Sequence, residues 1–173
     1  MAFEQIKVDL KSHRTADGSD FYEINPKGYV PALVLDSGEM LTENVAILSW
    51  IADQAEKLAP RGSFGRYRLL EALAFISTEI HKSYKPFFTP GTTEEAKSAA
   101  RQAITRRLDF LAERLKGDYL LGPGFTVADA YLFVMLTWAP KNDVSVPDPL
   151  PVYFERIKAR PAVRRSLEEE GLA

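Results

Sequence analysis

Pro31-Ala32-Leu33-Val34-Leu35-Asp36-Ser37-Gly38-Glu39-Met40-Leu41, followed at once by Thr42-Glu43-Asn44-Val45-Ala46-Ile47-Leu48-Ser49-Trp50-Ile51, decides the fold of the first third of this chain. Two short apolar runs flank Asp36-Ser37-Gly38, where glycine can take the positive φ that a tight loop needs, so the stretch predicts a β-hairpin. Behind it Val45, Ile47, Leu48, Trp50 and Ile51 make an apolar stripe wide enough to pack a helix on a sheet, with Asn44 as the expected N-cap. That helix is expected to close the first unit near Gln54.

Working outward toward the N-terminus, Phe3 through Leu10 alternates apolar and polar residues and predicts a strand. Lys11 to Gly18 is polar and turn-rich, and Asp20-Phe21-Tyr22-Glu23-Ile24-Asn25-Pro26 reads as a short amphipathic turn stopped by proline. Toward the C-terminus, Leu58-Ala59-Pro60-Arg61-Gly62 clusters linker residues, and everything after it has helical periodicity. The expected organisation is therefore a first domain over 1–57 and an all-helical domain over 61–173. Within the second, spacings of three and four predict long helices over about 64–84 and 94–116. A third, opening at Phe125-Thr126-Val127-Ala128-Asp129, is apolar nearly all round and should be the central buried helix. Shorter helices are expected near 148–159 and 161–170, the latter with Pro161 in its first turn.

Bulk composition narrows the function classes. With 22 basic and 24 acidic residues the net charge is -2, which leaves no basic field for nucleic acid or an anionic membrane. There is no cysteine, so a disulfide framework, a thiolate metal site and a cysteine nucleophile are excluded within these residues, and no metal is expected. No apolar run approaches the ~20 residues of a membrane span, and no secretory leader is read at the N-terminus, so the expected location is the cytoplasm.

Two places could carry chemistry. Val30-Pro31 leads straight into a strand: a cis bond would turn the Val30 backbone outward to pair with a peptide, while the alternative is an ordinary edge-strand proline. Glu43-Asn44 opens a helix, whose free N–H groups and positive dipole end favour a carboxylate ligand while Glu43 could accept an ammonium; the alternative is a cap without a ligand.

Taken together, Asn25-Pro26-Lys27-Gly28-Tyr29-Val30-Pro31-Ala32-Leu33, Leu41-Thr42-Glu43-Asn44-Val45-Ala46-Ile47 and Phe125-Thr126-Val127-Ala128-Asp129-Ala130-Tyr131 resemble consecutive signatures of cytosolic glutathione transferases, in matching order and spacing. Glu79-Ile80-His81-Lys82 and the tail Glu170-Gly171-Leu172 resemble the bacterial beta class. The fold this resemblance implies is α/β plus all-α: an incomplete thioredoxin-like N-terminal domain followed by the family's all-helical C-terminal domain. It further implies that the Val30 backbone, beside a cis Pro31, pairs with the cysteinyl unit of glutathione, and that Glu43 and Asn44 hold its γ-glutamyl end. Position 44 is more often Ser or Gly. His13 falls near a basic residue that reaches the glycyl carboxylate, with Lys11 and Arg14 as register neighbours; histidine is a weaker anion partner than lysine or arginine. His81 and Lys82 resemble residues that approach the thiol from the helical domain, although a histidine on a long helix is by default packing or surface. Ala74 stands where an asparagine is common. Thr126 and Asp129 look like the family's capping box, a folding element.

Family members begin with a strand-helix unit of roughly 20 residues that supplies the Tyr, Ser or Cys beside the sulfur. The resemblance leads us to expect that unit, and with it the usual catalytic residue, to be missing here, through a start codon assigned too far downstream rather than true truncation or a deliberate fragment. The implied activity is conjugation of the glutathione thiolate to a small apolar electrophile by a homodimer, with His81 assisting and glutathione as co-substrate. The alternatives are a non-catalytic binding or stabilising protein of the same fold, and a helical interaction module completed by a second chain. Phe87, Phe88 and Trp138 either line an apolar groove or pack in the core.

Overall fold

A computed structural model of the chain describes residues 3–115 and 117–172. It divides into two compact units, Met1–Ile47 and Leu48–Ala173.

In the first unit the hairpin forms as read. Strands β3 (Ala32–Val34) and β4 (Met40–Thr42) pair antiparallel with Ala32 opposite Thr42, Leu33 opposite Leu41 and Val34 opposite Met40, and Gly38 at the loop has φ +85°. The expected strand over Phe3–Leu10 shrinks to β1 (Val8–Asp9), which pairs antiparallel with β2 (Arg14–Thr15). Alternation specifies a strand only where a neighbour satisfies its backbone and a sheet face buries its apolar side. Among the described residues nothing pairs with 3–7, and Phe3, Ile6 and Leu10 are 78%, 59% and 56% exposed. The tight return between β1 and β2 comes from Asp9, whose carboxylate accepts from the Lys11 N–H and the Ser12 hydroxyl. Helix α1 (Phe21–Ile24) is a single turn started by Asp20, which accepts from the Tyr22 N–H, and anchored by buried Phe21.

Helix α2 (Asn44–Gln54) runs across the division between the units. Its start is shifted by one residue from the expectation: the Glu43 carbonyl accepts the first helical bond, from the Ile47 N–H at 3.0 Å, so Glu43 takes the cap position and Asn44 is already helical. Glu43 reaches this corner at φ 69°, a left-handed conformation uncommon outside glycine.

The second unit is helical. α3 (Gly65–Phe75) does not run on as one α-helix: it continues through a π-helical segment (Ile76–His81) and a 3-10 turn (Lys82–Tyr84) into α4 (Lys85–Phe88). Hydroxyls compete for main-chain carbonyls around this change of pitch, Thr78 bonding the Ala74 carbonyl and Ser83 that of Glu79. α5 (Glu94–Arg114) is capped by Thr93 and buries one stripe, Ala100, Ile104, Leu108 and Leu111. α6 (Val127–Trp138) is buried nearly all round, as its sequence requires, and packs against α3, the π segment and α7 (Leu150–Lys158). α8 (Pro161–Glu169) follows and packs on α7.

Asp129 ties this unit together. Fully buried, it accepts from the Thr126 N–H and hydroxyl at 2.7 Å each, from the Leu120 N–H at 2.7 Å and from the Tyr153 hydroxyl at 2.8 Å. A buried carboxylate requires such a set of donors. Burial first, and then the adjacent carboxylate, push the Tyr153 phenol far above its ordinary range.

Candidate functional site

The site in the first unit is built by hairpin register. Because Ala32 faces Thr42, the residues before β3, Val30 and Pro31, lie at the same end of the hairpin as Glu43 and Asn44, which lead out of β4 into α2. The hairpin thus brings four predicted site residues together from two separate segments. The Val30–Pro31 peptide is cis, as is Asp148–Pro149, and the Val30 side chain is exposed.

Asn25 shapes the approach to Val30. It is buried, its amide donates to the Tyr29 carbonyl at 2.7 Å, its side-chain oxygen accepts from the Lys27 N–H at 3.2 Å, and its carbonyl accepts from Gly28 N–H at 2.8 Å. Gly28 is favoured there by its φ of +67°, and a Cβ, 2.6 Å from the Tyr22 ring, would push that ring aside. Sequence reading treated Asn25 only as part of a motif, yet an Asn-Pro dipeptide is a recognisable turn-starting signal.

Glu43 has a partner that sequence reading did not assign. Lys27 Nζ donates to its carboxylate at 2.7 Å and to the Thr42 hydroxyl at 3.0 Å. The two side chains are about half and two-thirds exposed, so the pair is weak and exchangeable. Nothing in the sequence links positions 27 and 43.

His13 sits at the β1–β2 return with φ 53°, its ring 4.6 Å from that of Tyr22 and its carbonyl accepting from the Phe21 N–H. Its Nδ1 is buried with no hydrogen-bond partner among the described residues, so any ligand contact by this ring falls to Nε2.

His81 and Lys82 belong to the second unit. His81 closes the π-helical segment and Lys82 is exposed. The His81 ring meets Tyr131 and Trp138 edge-on, with centroids 5.7 and 5.2 Å away, and its Nδ1 lies 2.6 Å from the Tyr131 hydroxyl. Burial alone pulls the imidazole pKa down, so the ring is held neutral. Trp138 also receives Tyr84 and Phe88 edge-on at 5.4 and 5.1 Å. Phe88 is exposed, whereas Phe87 and Trp138 are half-buried. Tyr131, 50 residues from His81, escaped sequence reading because its apolar surroundings mark it as core.

Among the described residues no group of three His, Asp or Glu side chains is disposed to hold a metal, and no helix is long and apolar enough to cross a membrane.

Residues 1–53 match the family model of the glutathione S-transferase N-terminal domain, and residues 94–165 that of the C-terminal domain. The chain is 41% identical over 176 residues to glutathione S-transferase GstA of Escherichia coli O157:H7, covering 98% of this chain and 88% of that protein. Among solved structures, a sphingomonad glutathione S-transferase complexed with glutathione is 48% identical with a TM-score of 0.91, over 100% of this chain and 89% of that one. The bacterial beta-class enzyme of Sphingomonas chungbukensis is 46% identical with a TM-score of 0.90, again over 100% and 89%.

Proposed function

This chain belongs to the glutathione S-transferase family, with that family's thioredoxin-like N-terminal domain, helical C-terminal domain and bacterial beta-class likeness, and we propose that it binds glutathione and conjugates its thiolate to small apolar electrophiles. The observation that carries this reading is the hairpin register. It sets the Val30 backbone, beside cis Pro31, at the same end as the start of α2, where Glu43 meets an ammonium. A γ-glutamyl peptide offers matching groups: a backbone amide and carbonyl for Val30, an α-ammonium for the Glu43 carboxylate, and an α-carboxylate for the first N–H groups of α2. Lys27 already lends Glu43 such an ammonium in the free protein. His13, through Nε2, is the assigned partner of the far carboxylate.

The chain has no cysteine, so the reacting thiol is the ligand's. Its proton leaves to solvent, the thiolate attacks an electrophilic carbon, a C–S bond forms, and the leaving group departs with its electron pair. By likeness to the bacterial beta class we assign His81 and Lys82 to the thiol of glutathione, and Phe88 and Trp138 to the apolar surface that receives the electrophile. The proposed assembly is a homodimer, supported by the exposed aromatic pair Phe64 and Tyr67 at the start of α3.

Isothermal titration with glutathione, beside a conjugation assay on an activated aryl chloride, tests the reading. Glu43→Gln, which keeps the shape and removes the charge, should weaken glutathione binding about tenfold. A wild-type chain that does not bind glutathione would overturn the proposal, and binding without turnover would reduce it to a glutathione-binding protein.

A further inference from the structure

His81 makes its only side-chain hydrogen bond among the described residues through Nδ1, to a tyrosine on a different helix. We propose that Tyr131 is a positioning residue for His81: its phenolic O–H donates to Nδ1, which holds the imidazole as the tautomer with its proton on Nε2 and leaves that N–H free to donate to a ligand. The part of this statement that concerns a ligand rests on the function proposed above. The part that concerns the tautomer rests on this chain alone.

The direction of the bond follows from hydrogen accounting. Tyr131 is 5% exposed, and its hydroxyl has no partner other than His81 among the described residues. If Nδ1 carried the proton and donated to the phenol oxygen, the phenol's own hydrogen would be left in a nearly buried site with no acceptor. Leaving a buried donor unmade is the costly arrangement, whereas a phenol oxygen with an unused lone pair is common. With the phenol as donor, Nδ1 uses its lone pair and Nε2 must hold the ring's proton.

Packing then fixes the plane of the ring. Trp138 and Tyr131 both meet it edge-on, at 72° and 88°, so rotation about the outer side-chain bond would collide with one or lose the hydrogen bond to the other. Glu79, the nearest carboxylate in sequence, does not compete: Arg107 holds it with two N–H groups at 3.1 and 2.9 Å. The ring's burial disfavours the imidazolium, which suits a neutral N–H donor better than a cation. Nε2 has no partner among the described residues and is available. A ligand atom met by Nε2 gains a hydrogen bond from His81 and no full charge.

Nitrogen NMR of the uniformly labelled full chain reads the tautomer directly, and with only two histidines in the sequence a His13→Gln variant assigns the signals. The expected spectrum shows His81 protonated at Nε2 and unprotonated at Nδ1, and Tyr131→Phe, which keeps the buried ring, should shift the Nδ1 signal toward that of a protonated nitrogen as the other tautomer becomes populated. A wild-type His81 protonated at Nδ1, or an Nδ1 signal that Tyr131→Phe leaves in place, would overturn the proposal. Kinetics supply the second arm. Tyr131→Phe should lower kcat about tenfold with KM for glutathione within about twofold, and should cost less than about twofold more once His81→Gln is present. A full additional loss in that background would mean that Tyr131 does not act through His81. Should glutathione fail to bind at all, the function proposed above falls while the NMR arm still decides the tautomer.

Discussion

His81 couples its environment to stability as well as to the proposed chemistry. Its folded-state pKa lies below the ordinary 6.5 because burial penalises the charged ring. As pH falls through about 6.5 the unfolded chain takes up the proton first, so folding loses stability there, and the loss stops once the pH is below the folded value. Above about 6.5 the residue contributes no such penalty. Chemical denaturation across this window should show wild type losing stability on acidification at no more than about 1.4 kcal/mol per pH unit from this residue, and a difference curve against His81→Phe should isolate the term. A flat difference curve would mean the ring is as well solvated folded as unfolded. Glu43 contrasts with His81 at this scale: it stands at the surface with Lys27 as an exchangeable partner, which fits the ligand-binding role proposed for it.

Elements here are held by side chains at their ends as much as by the stripes along them. α6 is the clearest case, because its first turn is tied by Asp129 to Thr126, to the Leu120 loop and to Tyr153 of α7. Asp129→Ala would strand the Tyr153 hydroxyl and two main-chain N–H groups in the core, and should destabilise the fold by about 3–5 kcal/mol, read as a lower thermal midpoint with glutathione affinity little changed in whatever fraction remains folded. Asp129→Asn, which keeps an acceptor, should lose less. The hairpin is the element on which the proposed binding rests, since the pairing of Ala32 with Thr42 sets Val30 and Glu43 at one end. A slip of one residue would turn the side chains of the slipped strand to the opposite face and offset Val30 from Glu43. The change of pitch after Phe75 is the element that sequence periodicity did not resolve, because apolar spacings of three and four fit α and π turns alike over a single turn.

At the scale of the whole molecule, the two units differ in how they are held. Among the described residues, Leu48–Ala173 contains nearly the whole buried core, whereas Met1–Ile47 has two separate two-stranded sheets and few fully buried side chains. Hydrogen exchange should therefore find the amides of Ile104–Leu111 and Leu132–Leu136 protected far longer than those of Val8–Thr15, by orders of magnitude; equal protection would contradict this division. The sequence by itself determined the hairpin, the long helix α5, the buried character of α6 and the Thr126–Asp129 cap. Each of these is a local pattern of period, turn chemistry or capping, and family likeness follows from their order. It overstated the opening strand, since alternation cannot report whether a neighbour exists to pair with it. Only the tertiary structure decided that Glu43 meets Lys27, that Asn25 shapes the loop before Val30, and that His81 leans on Tyr131. These pairings join residues 16, 4 and 50 positions apart, and side chains that look like surface, motif and core in isolation acquire roles only when folding brings a donor within reach of an acceptor.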